Sequence, residues 1–367
     1  VCRPGNANIW YFGDKAGLDF NTEPPTVLTD NQLKNYYESA TACDASGKLL
    51  FYTDGDTVFN RFHQPMPNAT NLVNVAGSLN NETHAIIIPN PAVATQYYVF
   101  HTNHGSFGTF TSYSLIDMKL DNGRGDVVPG QKSISYHPSK IETEFTAVHS
   151  CAFDGYWLMV RGFLDDNFYA YKIAQNGLES NPVVSPGGAN PSYNGQMKFS
   201  PNGRRLARNT QWPTLAEIYD FSPASGLVSN LVSIAIDGND QGQTWGVEFS
   251  PDSRYLYVSA QNHTTGKYLL FQMDLEAGDA DQIRNSIQIL AEEPGNNAVF
   301  GPLQLAPDGK IYITNTTPLI SGPYNILHVI HQPNLPGVSC QLQLMGLPLT
   351  GTSGAQSGLV NVVQNLL

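Results

Sequence analysis

The chain has 367 residues, 41% of them hydrophobic and only 14% charged, with 19 Lys and Arg against 31 Asp and Glu and a formal net charge of −12. With no Lys/Arg cluster, this balance argues against a nucleic-acid partner, whose phosphates need a basic footprint. No run approaches the roughly 18 consecutive apolar residues of a membrane-spanning helix, and four cysteines do not make a disulfide framework in a chain of this length.

In chain order, Ile9-Trp-Tyr-Phe-Gly and Thr26-Val-Leu-Thr read as strands with no inner strand before them. Asn31-Gln-Leu-Lys-Asn-Tyr-Tyr is the best candidate for a short helix. From residue 40 a hairpin recurs, and it is clearest over residues 246–261. There Val247 and Phe249 alternate with Glu248 and Ser250, Pro251-Asp-Ser makes a tight turn, and Tyr255, Tyr257 and Ser259 alternate with Leu256, Val258 and Ala260. A period of two on either side of a turn signal is a β-hairpin.

The pattern returns in Gln196-Met-Lys-Phe-Ser-Pro-Asn-Gly and Leu303-Gln-Leu-Ala-Pro-Asp-Gly, and more loosely around Gly47 and Gly155. Aligned on the residues that close the turn (Gly47, Gly155, Gly203, Ser253, Gly309), the copies repeat about every 50 residues, a spacing that belongs to propeller blades. The interval from Gly47 to Gly155 holds two units, the missing copy being Ala85-Ile-Ile-Ile-Pro-Asn-Pro. A third and a fourth apolar strand follow each hairpin, and four antiparallel strands make one blade.

Six units therefore run from about residue 38 to about residue 348, and the two ends of the chain supply a seventh. The sequence predicts an all-β, seven-bladed β-propeller, a single domain over residues 1–367, whose last blade is closed by N- and C-terminal strands. Residues 358–364 are expected to be the innermost strand of that blade.

Cys43 and Cys151 lie inside inner strands, where a cysteine acts as a small hydrophobe. Cys2 and Cys340 lie outside strands near the closure and are expected to form a disulfide, which would imply an oxidising compartment. The chain begins at Val1, as a mature protein does after removal of a signal, though a cut made in a longer chain looks the same.

Asn8-Ile-Trp-Tyr-Phe-Gly with Ala16-Gly-Leu-Asp-Phe-Asn, Gly47-Lys-Leu-Leu-Phe-Tyr-Thr-Asp-Gly and Val58-Phe-Asn-Arg-Phe-His-Gln-Pro-Met-Pro-Asn resemble a known family. So do Ile86-Ile-Ile-Pro-Asn-Pro, Gly125-Asp-Val-Val, Phe168-Tyr-Ala-Tyr, Gly246-Val-Glu-Phe-Ser-Pro-Asp-Ser and Pro307-Asp-Gly-Lys-Ile-Tyr-Ile. The family is that of β-propeller regions in large secreted proteins of Bacteroidota, exported by type IX secretion and often carrying gliding-motility-associated C-terminal domains. The resemblance implies the propeller fold, a secreted or cell-surface location, and a place in a larger secreted polypeptide or assembly. It implies no reaction. No sorting domain follows Leu367 in this sequence, so export by that route rests on the resemblance.

No Gly-x-Ser-x-Gly, His-Glu-x-x-His, P-loop or Rossmann fingerprint occurs. Asp54 and Asp56 could ligate Ca²⁺, but Asp-Gly is equally an ordinary hairpin turn; no other metal or cofactor is expected. His328 and His331, at an odd offset on a strand, face opposite ways. Arg124-Gly-Asp, a tripeptide that some adhesion receptors bind, reads better as a glycine-rich connection.

The entrances to the inner strands carry more. Glu38, His84, His149, Gln196, Trp245 and Gln304 are expected around the mouth of the central channel, with Arg161 at the end of a second strand. A polar ring with one Trp can hold a sugar or a peptide terminus; alternatively these groups bond water and one another. The leading expectation is an extracellular or cell-surface, non-enzymatic binding or adhesion module that recognises a glycan or peptide at the channel mouth. The alternatives are a hydrolase or lyase with an acid/base or metal site on Glu38, His84 and His149, and a rigid spacer. The fold itself decides among none of them.

Overall fold

The computed structural model describes residues 7–35, 37–73, 83–103, 111–150, 154–163, 165–187, 195–210, 214–236, 243–294, 299–315, 325–350, 354–355 and 358–364. Seven separate antiparallel sheets follow one another along the chain and close into a ring, a seven-bladed β-propeller. The innermost strands of blades 1 to 6 are Ala40–Cys43, Thr83–Pro89, Ile141–His149, Met197–Phe199, Gln243–Phe249 and Phe300–Leu305. The N-terminal strands Ile9–Phe12, Ala16–Asp19 and Thr26–Leu28 form a three-stranded blade 7. Every blade repeats the same outward meander, so the starts of the inner strands gather at one end of the channel, here called the entrance.

The repeat has a backbone cause. Gly47, Gly203 and Gly309 close their turns at φ of 81°, 68° and 77°, the left-handed region that only glycine enters freely. Ser253 takes the same place at φ 66° and uses its hydroxyl to accept the Asn202 N–H. Between these turns the alternating apolar residues of one blade meet those of the next. Ala207, Ile218 and Ile234 of blade 4, for example, pack with Val247, Phe249, Leu256 and Val258 of blade 5.

The short helix expected over residues 31–37 does not form. The Asn31 side-chain oxygen Oδ1 accepts the Leu33 N–H and its Nδ2 donates to Ala16 O. This local bonding competes with a helix and leaves Lys34 bridged to Asp14.

Both ends of the chain meet at blade 7, but the C-terminal stretch enters differently from the expected innermost strand. Gly354 exchanges backbone hydrogen bonds with Asp14, and the chain then leaves the blade. Val360 pairs in parallel with Ser39 of blade 1, and Gln364 with Val148 of blade 3. The reason lies on the inner edge of the Ile9–Phe12 strand, which side chains of blade 1 already occupy. Tyr11 O accepts the Ser39 hydroxyl at 2.6 Å and Tyr11 N donates to Thr41 Oγ1 at 3.3 Å.

Residues 358–364 instead run down the channel, every one of them buried. Leu359, Val360 and Val362 pack with Trp10, Phe12 and Leu18, while Val363 packs with Ile86 and Ala147. Gly358 is required where this segment passes blade 1: a Cβ there would lie 2.3 Å from the carbonyl carbon of Tyr37.

Cys340 is a thiol buried between blades 5 and 6 with Tyr257 and Leu305, and the disulfide expected with Cys2 falls on a residue outside the described ones. Cys43 is likewise buried, and burial pushes its pKa up to about 12. Both thiols should therefore resist alkylation in the folded protein and react only after denaturation, which mass spectrometry of the modified peptides would register.

Candidate functional site

At the entrance, Glu38 precedes the inner strand of blade 1, His84 lies near the start of that of blade 2, and Gln196 precedes that of blade 4. Their side chains meet across the channel. Gln196 Nε2 donates to Glu38 Oε1 at 3.0 Å and to Leu303 O at 3.3 Å, and Gln196 Oε1 accepts the Val247 N–H at 3.0 Å. One glutamine thus links blades 4, 5, 6 and 1. His84 Nδ1 stands 3.5 Å from Glu38 Oε2, and the Asn361 amide of the axial segment donates to that oxygen and to Phe145 O.

One layer deeper, Lys198 Nζ donates to Gln304 Oε1 at 2.6 Å. Glu248 accepts the backbone N–H groups of Phe249 and Leu305 at 2.9 and 3.0 Å. Lys198, Glu248 and Gln304 are almost wholly buried.

The electrostatics follow from this crowding. Burial alone would raise the Glu38 pKa, but the His84 hydrogen bond, the Lys198 charge and Gln196 outweigh it and hold the group at about 2. Glu248 goes the other way: burial pushes it up to about 7 against the pull of Lys198 and two backbone N–H donors.

These shifts have opposite consequences for stability. Folded Glu248 keeps a proton that the unfolded chain releases near 4.5, so its contribution is full below that pH and is lost as pH rises through about 7. Glu38 contributes above 4.5, and that contribution is lost as pH falls through about 2. Glu248→Gln should therefore flatten the fall in melting temperature between pH 4.5 and 7; an unchanged slope would show that Glu248 does not titrate there.

The remaining expected site residues lie elsewhere. His149 ends its nine-residue inner strand, so it sits at the opposite end of the channel, its ring tilted against that of Tyr156 with ring centres 4.5 Å apart. The inner strand of blade 3 begins at Ile141, earlier than the hairpin pattern suggests, because the ladder is irregular between Ile141 and Phe145. Gln304 is below the mouth, and Arg161 lies in a second strand, buried over Phe168 and paired with Asp166 at 3.2 Å.

Trp245 is the extra residue in a β-bulge, because Thr244 pairs with Ala260 and Gly246 with Ser259. The bulge leaves it half-buried, and its indole nitrogen has no hydrogen-bond partner. His84 Nε2 also has none, and the Tyr37 ring lies over the imidazole at 4.9 Å.

Among the described residues no three His, Cys, Asp or Glu side chains come together to hold a metal ion. The Asp54 carboxylate accepts the Asp56 and Thr57 N–H groups and so closes its own turn. The Arg124-Gly-Asp tripeptide is not presented to solvent as a unit, since Asp126 is buried and bonded to Asn68, and Arg124 is paired with Asp121. No helix among the described residues is long and apolar enough to cross a membrane.

Solved structures match this chain along nearly its whole length. The periplasmic gluconolactonase of Pseudomonas aeruginosa is 15% identical, with a TM-score of 0.58 over 96% of this chain and 98% of that one. A protein of Bacteroides uniformis described as a candidate 6-phosphogluconolactonase is 13% identical, with a TM-score of 0.54 over 99% and 98%. A functionally unknown protein of Desulfotomaculum acetoxidans is 13% identical, with a TM-score of 0.52 over 97% and 99%. The likeness is one of fold. No protein-family model matches the chain, and no curated protein matches it.

Proposed function

We propose that this propeller is a non-enzymatic binding module that takes a glycan or a peptide at the channel entrance. One observation carries the reading. Glu38, Gln196 and Asn361 engage one another, whereas Trp245 bulges out of its ladder with an unpartnered indole N–H. An aromatic face suits a sugar ring, and a ligand would have to open the entrance to reach the buried, unpartnered indole N–H and His84 Nε2. The resemblance to secreted propellers of Bacteroidota supplies the setting, a secreted or cell-surface protein acting in adhesion as part of a larger polypeptide.

A glycan and peptide array would identify the ligand, and titration calorimetry of Trp245→Ala would then test the site. The expected loss is about 2 kcal/mol of binding, the scale of an interface hot spot, with little change in melting temperature. Collapse of stability with unchanged affinity in the folded fraction would instead make Trp245 a packing residue and move binding to another surface.

A second reading has its own observation. Glu38 holds His84 by Nδ1 and leaves Nε2 unpartnered, the arrangement of an oriented general base. The gluconolactonase neighbour gives a substrate class to try. Hydrolysis of gluconolactones or simple esters that His84→Gln abolishes would favour this reading over the first.

A further inference from the structure

Away from the channel, where blades 7 and 1 meet, four side chains from four separate segments converge. Tyr11 comes from the first strand of blade 7, Asp30 follows its third strand, Tyr52 lies in the Leu49–Thr53 strand, and His63 sits in the turn after Val58–Asn60. Tyr11 Oη donates to Asp30 Oδ1 at 2.8 Å, Asp30 Oδ2 stands 3.4 Å from His63 Nε2, and Tyr52 Oη stands 3.2 Å from His63 Nδ1. We propose that Tyr11, Tyr52, Asp30 and His63 form a binding site for a hard trivalent cation, ferric iron in particular.

The spacing fits an ion. Metal bonds to oxygen and imidazole nitrogen of about 2.0–2.2 Å place neighbouring ligands about 3.0–3.5 Å apart, close to the separations seen here. The two ring nitrogens of His63 flank Cε1. A half-turn about Cβ–Cγ brings Nε2 to the place of Cε1, between Tyr52 and Asp30, and only hydrogen bonding fixes which orientation is held.

The charge fits too. Two phenolates and one carboxylate supply three negative charges, so a trivalent ion leaves the site neutral, whereas a divalent one leaves uncompensated charge beside Tyr11 and Tyr52, which are 3% and 0% exposed. Binding breaks two tyrosine O–H bonds, forms two tyrosine oxygen–metal bonds and releases two protons to solvent, with no electron transferred. Burial keeps both phenols protonated well above their ordinary range, so only a strongly polarising ion displaces those protons.

The protein also supports the ligands. The Gln32 backbone N–H donates to Tyr52 Oη at 3.1 Å, which stabilises a phenolate. Phe59 stacks on Tyr52, and Tyr11 meets the Tyr52 ring edge-on at 4.8 Å, so both rings are held in place. Access is through Asp30 and His63, whose side chains are 56% and 23% exposed. Counting only histidines, cysteines and carboxylates misses the cluster, because half of its donors are phenols.

Ferric nitrilotriacetate titrated into the metal-stripped full chain should raise a visible tyrosinate-to-iron charge-transfer band that saturates at one ion per chain. Tyr11→Phe and Tyr52→Phe keep the rings, and each should weaken the band; the double variant should abolish it. Asp30→Asn, at an exposed position that leaves the fold intact by melting, removes a ligand and should weaken binding by more than the roughly tenfold cost of losing a mere outer partner. If the tyrosine variants do not fold, Asp30→Asn alone decides. No band with the natural chain, a band unchanged in the double variant or in Asp30→Asn, or displacement of iron by an equal concentration of zinc would each overturn the proposal.

Discussion

Truncation before residue 358 should cost this protein most of its stability. Leu359, Val360, Val362 and Val363 are all nearly inaccessible. At about 1.5–3 kcal/mol for each buried aliphatic side chain, their loss alone amounts to roughly 6–12 kcal/mol, comparable to the whole stability of a typical domain. The truncated chain would also expose the apolar residues that faced the segment, among them Trp10, Phe12 and Ile86, so aggregation should accompany unfolding. Differential scanning calorimetry and gel filtration would measure both effects. An unchanged melting temperature would mean that the axial segment fills space without holding the ring together.

Lys198→Met should have the next largest effect. Lys198 is 1% exposed and lies within electrostatic reach of two buried carboxylates, Glu38 and Glu248. Removing one partner from a buried set of charges leaves the rest uncompensated, at a cost of about 3–5 kcal/mol. The variant should therefore melt earlier, and most steeply above neutral pH, where Glu248 is ionised. Adding Glu38→Gln should return part of the loss, since it removes one of the uncompensated charges while keeping one of the two acceptor oxygens. A double variant no more stable than the single one would show that Lys198 acts through packing.

Periodicity made the ring legible, because blades 1, 4, 5 and 6 repeat a turn at which the backbone enters the left-handed region. The polar layer inside the channel was legible as well, but only in a register that the entrance residues obscured. Lys198, Glu248 and Gln304 each sit five residues before the turn residues Gly203, Ser253 and Gly309, and each lies between two apolar neighbours. Reading that column would have found Lys198 and Glu248 and placed Gln304 one layer down.

His149 misled because its blade carries a longer, irregular inner strand, so counting from the turn does not give its height in the channel. Residues 358–364 read as a short, mostly apolar strand, as an inner strand does. Nothing local distinguishes a strand beside blade 7 from one on the axis. The difference lies in the Ser39 and Thr41 side chains, which cap the edge of the first strand from a different blade.

The axial segment also bears on how the molecule is made. Asn361 meets Glu38 across 323 positions of chain, and Phe145 across 216. Contacts of such separation carry a large loop-closure cost and belong to slow folding. This stretch follows the last blade strand, Leu342–Pro348, so during synthesis the nascent ring has an apolar, unfilled bore until the stretch emerges. In that interval the bore offers a place for any extended apolar peptide to lodge, and the arrival of residues 358–364 ends the exposure.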